Sequence, residues 1–267
     1  MDFQTFNDFR EIIYKKSGIS INETKEALVA ARIGKRMRAL GLNDAGDYLK
    51  YLLSKNNDGE IVNLLDVIST NVTSFFREQA HFDFLGDIFS GWLEQGQRKF
   101  RFWSAACSSG EEPYSLAMLI SDKLNGVNAN VKILATDIST KILEKSMAGT
   151  YSEEKVSSIP STYRSRFMHE TLWNDKKTFE ICEEIRKLIV FQHINLSKPP
   201  FPMHGPMDAV FCRNVMIYFD NKVRKNLLED VYRLVKPGGY LFVGHAESLT
   251  GLLSGFKAVK PSVYIKN

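Results

Sequence analysis

The stretch FRFWSAACSSGEEPYSLAM, residues 100–118, has the pattern of a strand, a loop and a helix in succession. An apolar run ends at Cys107, and Pro113 stands where a helix would begin, a position that suits its fixed φ. Gly110 lies in the loop, where the lack of a side chain lets a ligand approach the backbone. Open α/β sheets bind ligands beyond the carboxyl ends of their strands, so we expect a binding loop here.

This loop differs from those that bind dinucleotides. It has one glycine instead of a GxGxxG pattern, and Glu111 and Glu112 would repel a pyrophosphate at the start of the helix. The loop therefore argues against NAD and ATP, and it tolerates a ligand that carries positive charge. A purely structural interpretation is that both acids favour the N-terminus of the helix dipole.

Short apolar runs continue after this unit and alternate with amphipathic helical stretches. The runs are VKILATD (131–137), MDAVFC (207–212) and GGYLFVG (238–244). Strands that alternate with helices predict an α/β fold with a parallel sheet covered on both faces.

The first 70 residues show helical spacing instead. Phe6, Phe9 and Ile13 share one helix face, and Gly18 follows as a stop signal. We therefore predict a helical domain over 1–70, a linking helix over 71–99 and a sheet domain over 100–267.

Composition excludes several classes of protein. Of the 267 residues, 44% are hydrophobic and 25% are charged, a balance that excludes disorder as the main state. The formal net charge of +4 is too small to argue for nucleic acid or a membrane surface as partner. The N-terminus lacks the pattern of a signal peptide, and no run of 18 apolar residues occurs.

The cysteines and histidines do not have metal-binding spacing. Cys107, Cys182 and Cys212 are widely separated, which supports neither a disulfide framework nor a zinc knuckle and fits a reducing cytoplasm. The five histidines form no HExxH motif, so we predict no metal.

Asp137 ends the strand that follows the 100–118 unit. An acid at this place commonly accepts both hydroxyls of a ribose, provided that the second strand lies beside the first. Asp137 would also suit the N-cap of a helix beginning near Thr140, and the two roles can coexist.

Five segments closely resemble the CheR family of chemotaxis receptor methyltransferases, in the family's order over nearly the whole chain. They are TNVTSFFRE (70–78), FWSAACSSGEEPYSLAM (102–118), ATDIS (135–139), FCRNVMIYF (211–219) and GHAESL (244–249). The resemblance implies methyl transfer from S-adenosylmethionine to glutamate side chains of chemoreceptors, with S-adenosylhomocysteine as the product. It also implies a Rossmann-like methyltransferase sheet with an N-terminal all-helical domain, a small antiparallel β extension and an antiparallel final strand, for which FKAVKPSVYIKN (256–267) is the candidate.

The resemblance also implies roles for individual residues. Arg77 and Tyr218 would be catalytic: Arg77 would hold a carboxylate of either the cofactor or the substrate, and Tyr218 would lie beside the methyl group. An aromatic residue in a helix-facing core is the alternative interpretation of Tyr218. The implied cofactor contacts are Asn71, Thr73, Arg77, Glu112, Asp137, Asn195, Leu196, Arg213 and Asn214.

The implied reaction requires no strong general base. A glutamate side chain has an ordinary pKa of about 4.3, so it is already a nucleophilic carboxylate near neutrality. In-line displacement mainly requires that oxygen, methyl carbon and sulfur be collinear in a site without competing water. The lack of a catalytic histidine motif is therefore compatible with this chemistry.

The helix predicted over about residues 25–40 carries a local basic face. Its members are Lys25, Arg32, Lys35 and Arg36. Our hypothesis is that this face docks the acidic, glutamate-bearing helices of a chemoreceptor, and the alternative is an ordinary solvated helix face. We expect neither nucleic-acid binding nor membrane insertion.

Residues 168–194 predict a hairpin-like ribbon, since KTFEICEEI and LIVFQHI both alternate. In some members of the family, such an extension binds a peptide at the receptor C-terminus. The turn LWNDKK lacks the glycine of those members, which disfavours tail binding here.

Two other functional classes fit parts of the sequence. A methyltransferase that acts on RNA or a small molecule would keep the same fold and cofactor. A non-catalytic cofactor-sensing module is the other class, and the presence of Arg77, Asp137 and Tyr218 disfavours it.

Overall fold

The N-terminal part of the chain is helical in the computed structural model, which describes residues 1–21, 26–54, 58–69, 72–173, 176–249, 251–252 and 255–267. Its helices are α1 (Phe3–Ser17), α2 (Glu26–Ala39), α3 (Ala45–Leu53) and α4 (Asp58–Ile68). Phe6, Phe9 and Ile13 are fully buried where these helices meet, as their spacing predicts. Asp2 and Asp44 cap α1 and α3 by accepting hydrogen bonds from backbone N–H groups.

Strands and helices alternate through the rest of the chain. Helix α5 packs on α6, and its Phe82, Leu85 and Phe89 enter the hydrophobic core of the sheet. The elements are α5 (Ala80–Glu94), β1 (Lys99–Ala105), α6 (Glu111–Leu124), β2 (Asn130–Asp137), α7 (Thr140–Ala148), β3 (Thr150–Ser152), α8 (Glu153–Val156), α9 (Ser161–Phe167), β4 (Met168–Trp173), β5 (Lys176–Ile181), α10 (Glu183–Arg186), β6 (Ile189–His193), β7 (Met207–Cys212), a 3-10 helix (Met216–Tyr218), α11 (Asn221–Leu234), β8 (Val235–Phe242), β9 (Phe256–Lys260) and β10 (Val263–Lys266).

The main sheet has the strand order β6-β2-β1-β7-β8-β10-β9 within the described residues. The first five strands of this order pair in parallel, and β1 lies directly beside β2 with Ala105 opposite Thr136. Strand β10 pairs antiparallel with β8, which confirms the antiparallel final strand. Strand β9 comes from the same segment and pairs antiparallel with β10, so the segment supplies two strands. The fold is therefore the predicted α/β sheet behind an all-helical N-terminal part.

The small antiparallel extension forms, but its composition differs from the predicted 168–194 ribbon. Strands β4 and β5 pair as a hairpin, and β3 adds to β5. The LIVFQHI segment does not join them, because β6 pairs in parallel with β2 at the edge of the main sheet. That part of the ribbon prediction was wrong. Period-two alternation describes a half-buried strand in either kind of sheet, so it cannot identify the partner strand.

No helix in the described part of the chain combines the length and apolar character that a membrane crossing requires.

Candidate active site

A pocket opens at the carboxyl ends of the parallel strands β1, β2 and β7, at the edge of the sheet that the sequence predicts. It encloses about 920 Å³ of empty space, a volume that includes open solvent at its mouth. All the described residues to which the sequence analysis assigns cofactor or catalytic roles line this pocket, and Asn71 lies outside the described residues. The residues are Thr73, Arg77, Glu112, Asp137, Asn195, Leu196, Arg213, Asn214 and Tyr218.

Asp137 lies at the end of β2 with its carboxylate against the loop after β1. One oxygen accepts a hydrogen bond from Ser108 N at 2.9 Å, and the other accepts one from Ser139 N at 3.0 Å. Burial raises the pKa of Asp137, and these backbone donors oppose the rise. Ser139, not Asp137, caps α7 by accepting from Ile142 N. Each carboxylate oxygen has further lone pairs, so Asp137 can still accept hydroxyl groups.

Glu111 and Glu112 start α6 but point to different environments. Glu111 is fully buried and bonds to Ser109 Oγ at 2.6 Å and Lys155 Nζ at 3.0 Å. Glu112 lines the pocket and accepts from Ser104 Oγ at 2.7 Å. Burial raises the pKa of Glu112, with Arg213 as the main opposing influence.

Gly110 serves close packing of the loop in the structure, whereas the sequence predicted that it would let a ligand approach the backbone. Its φ of +96° lies in the left-handed region, and a Cβ there would lie 2.8 Å from Tyr151 Oη and 3.1 Å from Ser146 Cβ. The glycine therefore permits close packing of the loop onto α7 and β3. The residues of this loop that line the pocket are Ala106, Cys107 and Ser108.

Arg213 joins three segments around the pocket. Its Nη1 donates to Glu112 Oε2 at 2.8 Å, while Nη2 donates to Glu78 Oε2 at 2.9 Å and to the Arg77 carbonyl. The side chain is 2% exposed, and its guanidinium lies 5.7 Å from the centre of the Phe82 ring. This ion-pair network holds the segment before α5 against α6 and β7.

Glu247 is a buried acid that the sequence analysis did not assign to the site. It is 4% exposed. Its oxygens accept hydrogen bonds from backbone N–H groups of the turn after β7 and of the loop after β8. The donors are Asn214 (2.8 Å), Met216 (2.7 Å), Ile217 (3.3 Å) and Gly244 (2.7 Å). The GHAESL motif contains Glu247, but the sequence does not say which backbone it contacts.

Arg77 and Tyr218, the two predicted catalytic residues, both line the pocket. Arg77 Nη1 donates to the Val72 carbonyl at 2.7 Å. Tyr218 belongs to the 3-10 helix, and its half-buried ring packs against the hydrophobic core of the helical part as well as lining the pocket. Both interpretations of Tyr218 therefore fit its location.

The helical part of the chain contributes to the pocket, which the sequence analysis did not predict. Ser17, Ile19 and Ser69 line it. Asn195 connects to the same region, because its Nδ2 donates to the Lys16 carbonyl at 2.7 Å.

Comparison with known proteins identifies the family. Residues 71–265 match the family described as "CheR methyltransferase, SAM binding domain", and residues 4–69 match "CheR methyltransferase, all-alpha domain". The chain belongs to the CheR methyltransferase family. S-adenosylmethionine is its cofactor, which confirms the cofactor and the enzyme class predicted from sequence.

Curated relatives of this CheR chain match it over nearly its whole length. A chemotaxis protein methyltransferase from Borreliella burgdorferi is 36% identical over 264 residues, covering 96% of this chain and 92% of the relative. The chemotaxis protein methyltransferase from Escherichia coli is 36% identical, covering 97% of this chain and 89% of the relative. Chemotaxis protein methyltransferase 2 from Pseudomonas aeruginosa is also 36% identical, with 98% and 92% covered.

The predicted docking face of this CheR chain is only partly available to a partner. Arg36 binds Glu60 through Nε at 2.6 Å and also through Nη2, and Arg32 donates to the Ile68 carbonyl. Lys35 is exposed, and Lys25 lies outside the described residues. Within the predicted face, Lys35 is thus the described side chain best placed to meet a partner.

Glu78, His81 and His245 form a cluster beside the pocket, with ligand atoms within 4.8 Å of one another. Arg213 already binds Glu78, so a metal ion would compete with a fixed guanidinium. The His81 ring packs edge-on against Phe242, and burial, followed by the charge of Arg213, lowers its pKa to about 4. His81 is therefore a buried histidine that is neutral near pH 7 and packs against Phe242. The absence of a metal stays a prediction.

Proposed function

We propose that this CheR methyltransferase transfers a methyl group from S-adenosylmethionine to glutamate side chains in the cytoplasmic helices of chemoreceptors. The relatives are named chemotaxis protein methyltransferases, which supports a substrate in chemotaxis. The free thiols of Cys107, Cys182 and Cys212 are compatible with a cytoplasmic location.

The observation that carries this proposal is the lack of a free base in the pocket. Among the described lining residues there is no histidine or lysine. Glu112 is held in an ion pair with Arg213, Asp137 is the proposed acceptor of the ribose hydroxyls, and burial raises the pKa of the Cys107 thiol. An alcohol or amine substrate would need a base to remove its proton. A carboxylate is already ionised, so this pocket suits a glutamate substrate better than a ribose hydroxyl of RNA.

The cofactor, when bound, supplies a methyl group on a sulfonium: the substrate oxygen forms a bond to carbon while the carbon–sulfur bond breaks and its electron pair stays on sulfur. In our proposal Asp137 accepts the ribose hydroxyls, and Arg77 orients a carboxylate by paired hydrogen bonds. The Tyr218 hydroxyl and ring lie on the methyl side, where they align the substrate and exclude water. Thr73, Glu112, Asn195, Leu196, Arg213 and Asn214 complete the proposed contacts.

A labelling experiment tests the substrate. Purified protein is incubated with methyl-labelled S-adenosylmethionine and receptor cytoplasmic fragments, and the product is treated with mild base. We expect label that base releases, as a methyl ester requires. Matched receptor fragments whose methylated glutamates are replaced by alanine should lose it, and bulk RNA should take up none. Normal cofactor binding together with no base-labile label on cognate fragments would refute the glutamate substrate.

We also propose that the exposed side of α2 docks the receptor helix, with Lys35 as its described basic contact. Reversing Lys35 to Glu should raise KM for the receptor fragment and weaken the dependence of KM on salt, while cofactor affinity stays the same. Lys257→Glu, a reversal of an exposed lysine on β9, is the matched control. An unchanged KM in Lys35→Glu would remove α2 from the docking surface.

We propose no tail-binding role for the β4–β5 hairpin. The centre of the turn on which that prediction rests, Asn174 and Asp175, lies outside the described residues.

A further inference from the structure

Residues 16–20, here called the 16–20 turn, lead out of α1 and lie against the cofactor pocket. Gly18 closes α1 with φ of +74°, and its N–H donates to the Tyr14 carbonyl at 2.7 Å. The next residues run beside the loops that follow β6 and β7, while Ile19 still belongs to the hydrophobic core of the helical part. Ser17 and Ile19 of the turn are themselves part of the pocket wall.

The turn bonds to both of these loops. On one side, the Lys16 carbonyl accepts from Asn195 Nδ2 at 2.7 Å. On the other side, Ser20 N donates to the Tyr218 carbonyl at 2.8 Å, and Ile19 forms an antiparallel bridge with Phe219. Asn195 and Tyr218 both line the pocket, so a single short turn fixes the two loops relative to each other.

Gly18 is the residue that allows this approach. A Cβ at this position would lie 2.4 Å from Ser197 Cβ and 3.1 Å from Ser197 Oγ. Ser197 is two residues from Asn195 and bonds to its Oδ1 through both N and Oγ. Any side chain at Gly18 would therefore push the loop that carries Asn195 and Leu196.

We propose that the 16–20 turn is a positioning element of the cofactor pocket, and that Gly18 is the residue that permits it. The helical part of the chain thus completes the cofactor site in addition to any role in receptor docking. This inference rests on the proposed cofactor placement and is independent of the glutamate substrate.

The matched test compares two glycines of the same kind. Gly18→Ala is measured against Gly41→Ala, since Gly41 also follows a helix of the same part with φ of +70° but has nothing within 4 Å of a new Cβ. Both variants carry the strain of a left-handed alanine, so their difference isolates the contact with Ser197. Calorimetry with S-adenosylhomocysteine should show a dissociation constant raised about tenfold in Gly18→Ala, equivalent to losing about one hydrogen bond, and unchanged in Gly41→Ala.

A compensating change separates positioning from general loss of stability. Ser197→Gly removes the Cβ that Gly18→Ala would strike, so the double variant should recover the affinity of Ser197→Gly alone. If Gly18 had only a structural role, Gly18→Ala would lower the melting temperature but leave the dissociation constant unchanged, so there would be no loss of affinity to recover. Equal dissociation constants for Gly18→Ala and Gly41→Ala would overturn the proposal.

Hydrogen exchange on the wild-type protein gives a second measurement, which does not depend on a variant that folds. Adding S-adenosylhomocysteine should slow amide exchange over residues 14–21 and leave residues 38–44 unchanged. Residues 106–110 and 137–139 serve as the reference for the pocket itself. Slower exchange in the reference segments without slower exchange over residues 14–21 would refute this inference alone. Unchanged exchange in the reference segments would refute the proposed cofactor site, and with it this inference.

Discussion

Replacing Glu247 by Ala should both destabilise the protein and impair the site. The carboxylate accepts hydrogen bonds from four backbone N–H groups, two of which, those of Gly244 and Met216, are fully buried. Those of Asn214 and Ile217 are only partly buried and can regain water. The change therefore strands the two buried donors and releases the turn that leads into Tyr218.

The size of the effect follows from the number of stranded donors. A buried donor left without a partner costs about 1–3 kcal/mol, so two cost about 4 kcal/mol. Burial of the carboxylate is itself unfavourable and raises the pKa of Glu247. Removing the acid recovers this part of the cost. We expect the free energy of unfolding to fall by about 3 kcal/mol for Glu247→Ala. Glu247→Gln keeps one acceptor oxygen, and hence one pair of bonds, so about 2 kcal/mol is expected.

Urea denaturation measures the change in the free energy of unfolding. Cofactor affinity and turnover, measured on the same variants, report the effect on the site. Glu229→Ala is the control, because Glu229 is an exposed acid on α11 whose removal should change the free energy of unfolding by less than about 0.5 kcal/mol. Turnover of Glu247→Ala should fall even at temperatures where the variant stays folded, since Asn214 and Tyr218 lose their support. A free energy of unfolding and a turnover both equal to those of Glu229→Ala would refute this reasoning.

Asp137→Ala should weaken binding of S-adenosylhomocysteine about 10-fold to 100-fold, since it removes the proposed ribose acceptor, and calorimetry showing wild-type affinity would contradict that role. Tyr218→Phe should lower kcat about tenfold or more with little change in cofactor affinity, because only the hydroxyl is lost; steady-state kinetics with equal kcat would count against it. Burial lowers the pKa of His81 to about 4 in the folded protein, whereas an unfolded histidine titrates near 6.5. The unfolded state therefore binds more protons between these values, and His81 should cost stability as the pH falls from about 6.5 to about 4. His81→Phe should flatten this part of a curve of stability against pH measured by urea denaturation, whereas the exposed control His169→Gln should leave its slope unchanged. An unchanged slope in His81→Phe would show that His81 does not titrate in this way.

The sheet and the strand-end residues could be predicted because their signals are local. An apolar run followed by an acid identifies Asp137 as the end of a strand, and parallel pairing with β1 then places it in the pocket. Glu112, in the first turn of α6, was assigned from the family resemblance instead. Helical periodicity likewise identified the buried face of α1.

Other features depend on contacts between distant parts of the chain. Glu247 bonds to a turn some thirty residues earlier, and Arg36 has its partner Glu60 on another helix. Periodicity assigns Arg36 to a helix face but does not identify the residue opposite, so a basic face was expected where the structure pairs a partly exposed Arg36 with the buried Glu60. The contact between Asn195 and Lys16 spans 179 positions, which no local pattern could indicate.

A crystal structure of the complex with S-adenosylhomocysteine would show directly how the pocket holds the cofactor product. Both ribose hydroxyls should lie within about 3 Å of the Asp137 carboxylate, and the sulfur should face Tyr218. A product bound outside this pocket, or a ribose turned away from Asp137, would contradict this placement.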